Sequence, residues 1–412
     1  MSLTATRGVA LYVGALLGPG LLVLPGLAAT QAGPASILAW AGLLVLSGLV
    51  AAVFAMLGPA PGGVAGYARL GLGERAGRTV GWCFLAGIIS GAPVVCQMGA
   101  GYLATLLGAG PGMTAAAGGI LLLIVIAVTL RGVQASTSVQ LVLVSVLLVV
   151  VLIAIFGALS FSEARNWTPF APHGWPAIGS AAVVLMLSFV GWEAIAPLTD
   201  RFADPRRQLP RVIGIAFAIT AVVYLALAAT TIGSLGTRAA TDVPFTALLS
   251  FALGTAGPVA AAVFAVILTI GTANAYLTGG AALARSLRPT GPAFPRWFLA
   301  AIVTVAAIML TFSGLGHLSV PGAISVATTF FLVVYLDCMA AAIRLLRGVG
   351  RAVAAAAGLA VVVVLAFSGY ALIPALTVVA AGMLLPRRYR RTPTTAKSSQ
   401  PPCAPVVRAR SR

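Results

Sequence analysis

Residues 187–211 read L-S-F-V-G-W-E-A-I-A-P-L-T-D-R-F-A-D-P-R-R-Q-L-P-R, an apolar stretch that carries one carboxylate, Glu193, and runs directly into a basic loop. An ionisable group held in hydrocarbon costs several kcal/mol unless it faces a partner or a water-filled cavity, so such a residue marks a candidate functional site.

The rest of the chain puts that stretch in a membrane. Sixty per cent of its 412 residues are hydrophobic and 8% are charged, whereas a soluble domain carries roughly 25% charged residues. Apolar runs able to cross about 30 Å of hydrocarbon fall at 8–31, 35–57, 80–107, 113–130, 137–159, 177–198, 211–233, 252–283, 297–316, 321–343, 352–368 and 370–385. The pattern predicts an all-α integral membrane protein with about twelve transmembrane helices. No cleavable signal peptide is read, because the first run is too long for a signal core and leads into further spans.

With the N-terminus inside, all but Arg165 and Arg238 of the 25 Lys and Arg residues fall on the cytoplasmic side. That matches the positive-inside rule and puts both termini in the cytoplasm. The net charge of +18 sits in short loops and a tail instead of on one folded face, which argues against nucleic acid as a partner. Residues 1–385 form one transmembrane unit, and 386–412, rich in Arg, Pro, Ser and Thr, read as a disordered basic tail. Cys83, Cys96, Cys338 and Cys403 offer no outward disulfide framework.

Two spans cannot remain regular helix. The first contains G-A-L-L-G-P-G-L-L-V-L-P-G over Gly14–Gly26, and the sixth contains S-F-V-G-W-E followed by Pro197. Proline cannot donate to the carbonyl four residues back. Pro19 therefore frees the Ala15 carbonyl, Pro25 that of Leu21, and Pro197 that of Glu193. Irregular backbone at membrane depth survives only where protein buries it or water reaches it. Breaks in spans one and six are what two inverted five-helix repeats would give, spans 1–5 and 6–10, with spans 11 and 12 appended. Taken alone, glycines such as Gly14 and Gly18 would also let helices pack closely. The matching break beside Glu193 favours a binding site.

At these residues the chain resembles the amino acid-polyamine-organocation (APC) transporter superfamily. Gly18 to Gly26 match its first-span pattern of small residues followed by Pro-Gly. Gly191-Trp192-Glu193 and the loop Asp204-Pro205-Arg206-Arg207-Gln208-Leu209-Pro210-Arg211 resemble its sixth span. Pro61-Gly62-Gly63 before Tyr67, Gly81-Trp82, Asn274, Ala284-Arg285 and the Gly291–Pro295 turn agree, so the resemblance covers about residues 8–350. The phrases P-A-P-G-G-V-A-G-Y (59–67) and G-W-C-F-L-A-G-I-I-S-G-A-P-V-V-C-Q-M-G-A-G (81–101) are similar to the bacterial exporter type that handles methionine and branched-chain amino acids.

The resemblance implies a leucine-transporter-like core in a bacterial inner membrane, and secondary active transport of neutral amino acids of the methionine, leucine, isoleucine and valine class. Proton-coupled export is the expected direction, with an uptake permease or exchanger of the same fold as the alternative. Half-helix N-termini supply N–H groups to a substrate carboxylate, and unwound carbonyls accept from its ammonium. The carboxylate is expected near the Gly18 and Gly20 amides, and the ammonium near the Ala15 carbonyl and the Phe189-Val190-Gly191 segment. Pro19 departs from the family by lacking an N–H, a loss that the Gly20 and Leu21 amides can offset.

Phe189 and Trp192 are candidates for an aromatic wall, with helix packing as the other role. Ala92 shapes a small apolar pocket beside Gly91 and Pro93, and Gln97 is a candidate ligand or an interhelical bond. Glu193 is the candidate proton carrier, since a carboxyl can load and unload a proton as water access alternates. Asp337 and Arg344, on one face of the tenth span, are expected to form a gating or structural ion pair. Thr269, Thr272, Asn274 and Thr278 are the minority case for a sodium site.

The chain is not expected to be an enzyme or to carry a metal or cofactor, because His173 and His317 lie away from Glu193 and no metal-ligand spacing appears. A major-facilitator carrier would match the Gly71–Arg78 stretch superficially. Such carriers join their halves by a long central loop, whereas only residues 199–210 link spans six and seven here. Small-residue faces serve monomers and dimers alike, so oligomeric state stays open.

Overall fold

The structure is a computed structural model that describes residues 5–58, 63–132, 137–192, 205–288 and 294–384. Glu193, Pro197 and the tail over 386–412 lie outside those residues. In lipid a helix satisfies its own backbone, and every regular element among the described residues is helical.

The first apolar run divides into α1 (Ala5–Leu16) and α2 (Gly20–Ala32). Gly33, at φ +60°, then turns the chain toward α3 (Ser36–Leu57). A short α4 (Gly63–Leu72) occupies the first inner loop, followed by α5 (Glu74–Leu106), α6 (Pro111–Leu130) and α7 (Thr137–Leu159). The sixth run begins as α8 (Ala177–Leu185) and tightens into a 3₁₀ turn over Met186–Phe189. Beyond it come α9 (Pro205–Leu235), α10 (Pro244–Leu253), α11 (Gly257–Leu287), α12 (Arg296–Gly314), α13 (Val320–Leu345), α14 (Val349–Ala366) and α15 (Leu372–Leu384).

Nine helical stretches among the described residues are long and apolar enough to cross a membrane. The count differs from the twelve apolar runs for local reasons. The second half of the first run joins the second run as Gly20–Leu57. The sixth run is described only as far as Trp192, with Ala177–Phe189 as its helical part, and the twelfth appears as Gly369–Leu384, shorter than the roughly 20 residues of a straight crossing. Helix α10 is an addition to the sequence reading: Gly254, at φ +57°, separates it from α11, so the eighth span starts at Gly257 instead of residue 252.

Helices α5 and α13 lie at the centre, with 78% and 72% of their most apolar windows buried against 22% for α12. Helix α5 packs on α11, α13 and α6, while the halves of the first run part company, α1 against α9 and α2 against α8. Small residues bring α5 and α11 close: a Cβ built on Gly99 would lie 2.2 Å from Thr269 Oγ1. Without a hydrophobic drive between helices in lipid, such close packing is what holds them together. Large apolar side chains such as Leu123, Phe156, Val222 and Leu359 point outward, as a hydrocarbon solvent requires.

Candidate functional site

The first break follows from proline chemistry. Leu17 N–H donates to the Val13 carbonyl at 2.8 Å and closes α1, and Gly18 N–H folds back to the Leu16 carbonyl at 3.1 Å. Pro19 has no N–H, so the chain restarts with tight turns, Leu21 N–H to Gly18 at 3.0 Å and Leu22 N–H to Pro19 at 3.1 Å. Gly20 heads α2, where first-turn N–H groups have no intrahelical acceptor. Of the amides expected to meet a carboxylate, those of Gly18 and Leu21 thus have main-chain acceptors, while that of Gly20 points out of the helix end. Pro25 sits inside α2 without ending it.

The second break forms where the 3₁₀ turn stops. Val190 is extended, at φ −78° and ψ 130°, and Gly191 follows at φ +146°, a conformation only glycine adopts without strain. The breaks meet: a Cβ on Gly20 would sit 3.1 Å from Ser188 Oγ, and one on Gly18 would sit 3.6 Å from Thr272 Oγ1 of α11. First span, sixth span and α11 therefore converge on one locus.

Carbonyls at the two breaks need donors from outside their own helices, and tyrosines of α9 and α13 supply them, while a third pins the first turn of α2. Tyr224 Oη, on α9, lies 2.7 Å from the Leu16 carbonyl and 2.9 Å from the Ser188 carbonyl. Tyr335 of α13 donates to the Phe189 carbonyl at 3.4 Å, and Tyr102 of α5 donates to the Leu22 carbonyl at 2.6 Å. The hydroxyls of Tyr12 and Thr269 are buried without a hydrogen-bond partner, and leaving a buried hydroxyl unpaired costs about 1–3 kcal/mol. The Ser188 hydroxyl, between the two breaks, lies beside Tyr224 and Gly20.

The structure brings Gly18, Pro19, Gly20, Leu21, Phe189, Val190 and Gly191 to this locus. Ala92 belongs with Val190 to one apolar cluster, which also includes Ala273 and Phe331. The Gln97 amide donates to Ser313 on α12, so it serves as the interhelical bond. Phe189 is buried in an aromatic group, 6.0 Å from Trp40 and 5.3 Å from Tyr224 between ring centroids. Of the four residues considered for sodium, Thr272 faces the first break. Thr269 abuts Gly99, and Asn274 accepts from Thr129 at 2.7 Å.

The expected pair of Asp337 and Arg344 is corrected: the ion pair found among the described residues joins Arg165 to Glu163. Seven residues of helix separate the two by about 10 Å, and Arg344 is exposed at the end of α13, where its charge stays hydrated.

Trp192 is also tied to the scaffold. Its indole N–H donates to Ser47 Oγ on α3 at 2.6 Å, and its ring lies 6.5 Å from Phe217. Trp192→Phe is expected to lower the melting temperature in detergent by roughly 2 °C, the effect of about 1 kcal/mol in a large domain, with substrate half-saturation within about twofold. A tenfold loss of affinity would instead assign the ring to the substrate.

Sequence reasoning missed Tyr224 and Ser188. A tyrosine in an apolar run carries a polar tip that must find a partner, a signal that Tyr224 shows and that does not name the partner.

A model of the amino acid permease family matches residues 4–406. The uncharacterized amino acid permease YecA of Bacillus subtilis (strain 168) is 31% identical over 399 residues, covering 92% of this chain and 94% of that protein. The L-methionine/branched-chain amino acid exporter YjeH of Escherichia coli (strain K12) is 30% identical over 400 residues, 93% and 95% of the two chains. The branched-chain amino acid permease BcaP of B. subtilis is 28% identical over 241 residues, 53% and 52% of the two chains. Broken helices meeting inside an all-helical membrane protein, and a family match along nearly its whole length, lead to one conclusion: this chain belongs to the amino acid permease family of the APC superfamily, as a transporter and not an enzyme.

Proposed function

We propose that the protein exports neutral amino acids of the methionine, leucine, isoleucine and valine class across a bacterial inner membrane, coupled to protons. Its core is two inverted five-helix repeats with two further helices, and both termini are cytoplasmic. The observation that carries this reading is the meeting of two main-chain breaks, Leu17–Pro19 and Val190–Gly191, with Ser188 and Thr272 beside them and no charged side chain among the described residues that form them. Such a locus recognises a zwitterion through amides and carbonyls. It has no fixed charge for a charged side chain, which suits a neutral substrate.

The Gly20 amide and the α2 N-terminus bind the carboxylate. The carbonyls of Ala15, Ser188 and Phe189 face the ammonium, with Ala92 and Val190 on the apolar side. Glu193, next in sequence to Trp192, carries the proton. The name of the E. coli relative, a methionine and branched-chain exporter, agrees with this substrate class.

The test loads vesicles with labelled methionine or leucine and follows efflux with and without an imposed proton gradient. Gradient-dependent efflux is the expected result. Uptake in place of efflux would make the protein a permease of the same fold, and a response to sodium alone would move coupling to the Thr272 side of the site.

A further inference from the structure

We infer that Tyr224 is a positioning residue for transport, whose single hydroxyl holds the two unwound segments in register and aims the Ser188 carbonyl at the substrate. Its acceptors are far apart in sequence, Leu16 in the first break and Ser188 in the second, yet both lie within 2.9 Å of one oxygen. Leu16 has already given its carbonyl to the Gly18 amide in a tight turn. Ser188 lies at the end of the 3₁₀ turn, two residues before extended Val190 and three before a glycine at φ +146°, so regular α-helix does not continue through it.

The donor stands on firm ground while the acceptors do not. Tyr224 belongs to the continuous helix α9, 31 residues long. Its ring is fixed by Trp40 at 5.1 Å and Phe189 at 5.3 Å between centroids, and it is fully buried. A phenol has one proton. Two carbonyls therefore share one donor; the Leu16 carbonyl, which also accepts from the Gly18 amide, is filled by it, and the Ser188 carbonyl retains a lone pair for an ammonium. Movement of either half-helix against α9 breaks one of the two contacts, so Tyr224 also ties the geometry of the site to the arrangement of the spans. The assignment to transport rests on the function proposed above.

The test compares the full-length protein with Tyr224→Phe, which removes the oxygen and keeps the ring, in lipid nanodiscs. Amide hydrogen exchange without amino acid should quicken about tenfold in both 13–22 and 185–192, with α9 itself unchanged. A general loss of packing would instead raise exchange throughout α9. In vesicles, the half-saturating concentration of methionine should rise about tenfold, with the maximal rate within about twofold. As a second probe, 3,5-difluorotyrosine at position 224, a more acidic phenol and a stronger donor, should slow exchange in both segments. Unchanged exchange in either segment with both replacements would overturn the inference. The exchange measurement needs no substrate, so a parent protein that moves no methionine or leucine overturns the transport reading, and exchange alone then decides whether Tyr224 holds the two segments.

Discussion

Gly26→Val is expected to abolish recovery of folded protein from the membrane. A Cβ on Gly26 would lie 2.1 Å from the Thr241 carbonyl oxygen and within 2.9 Å of the Pro244 ring. Neither neighbour is a flexible side-chain end, so relief requires moving α2 away from the segment leading into α10. Overpacking of even one methyl typically costs 1–3 kcal/mol, and a branched side chain at this distance exceeds that range. Gly42→Ala is the control: nothing lies within 4 Å of its added Cβ, and alanine favours helix over glycine by roughly 1 kcal/mol. Size-exclusion profiles in mild detergent would compare them. A monodisperse Gly26→Val protein with the parent's thermal stability would show that α2 does not pack as described.

Glu193→Gln is expected to leave transport without pH dependence while the protein still inserts. Only Glu193 and Asp337 among the seven acidic residues fall within the apolar runs. An ionised side chain at the bilayer centre costs about 3 kcal/mol on insertion scales, so neutralising it does not impair insertion. Glutamine keeps the hydrogen-bonding shape and cannot exchange a proton. Substrate binding and counterflow should persist in this variant at pH 6 and pH 8 alike, and an imposed proton gradient should no longer drive net efflux. Asp337→Asn, which has no Arg344 partner to lose, should behave as the parent. If the two variants exchange phenotypes, the coupling carboxyl is Asp337 and the role given to Glu193 is wrong.

The positions of both breaks could be read from composition because their cause is local. Pro19 lacks an N–H wherever it sits, and the first span parts at Leu17–Pro19. Gly191 tolerates φ +146°, and the 3₁₀ turn of the sixth span ends just before it. Pro25 shows the limit of the argument: it removes one donor, yet α2 continues through it. The start of the eighth span was not legible in the same way, because Gly254, at φ +57°, separates α10 from α11 within a stretch that is mostly apolar.

The membrane class and the two backbone interruptions were therefore determined by the sequence itself, since hydropathy and the chemistry of proline and glycine act through each residue's own segment. Which side chains meet those interruptions was decided only by tertiary structure. Tyr224 reaches a carbonyl 208 positions away, Gln97 turns to Ser313, and Trp192 turns to Ser47. A helix that is apolar all round has no polar face to reveal its rotation about its own axis, so only the packing of its neighbours settles where a tyrosine, a glutamine or a tryptophan points.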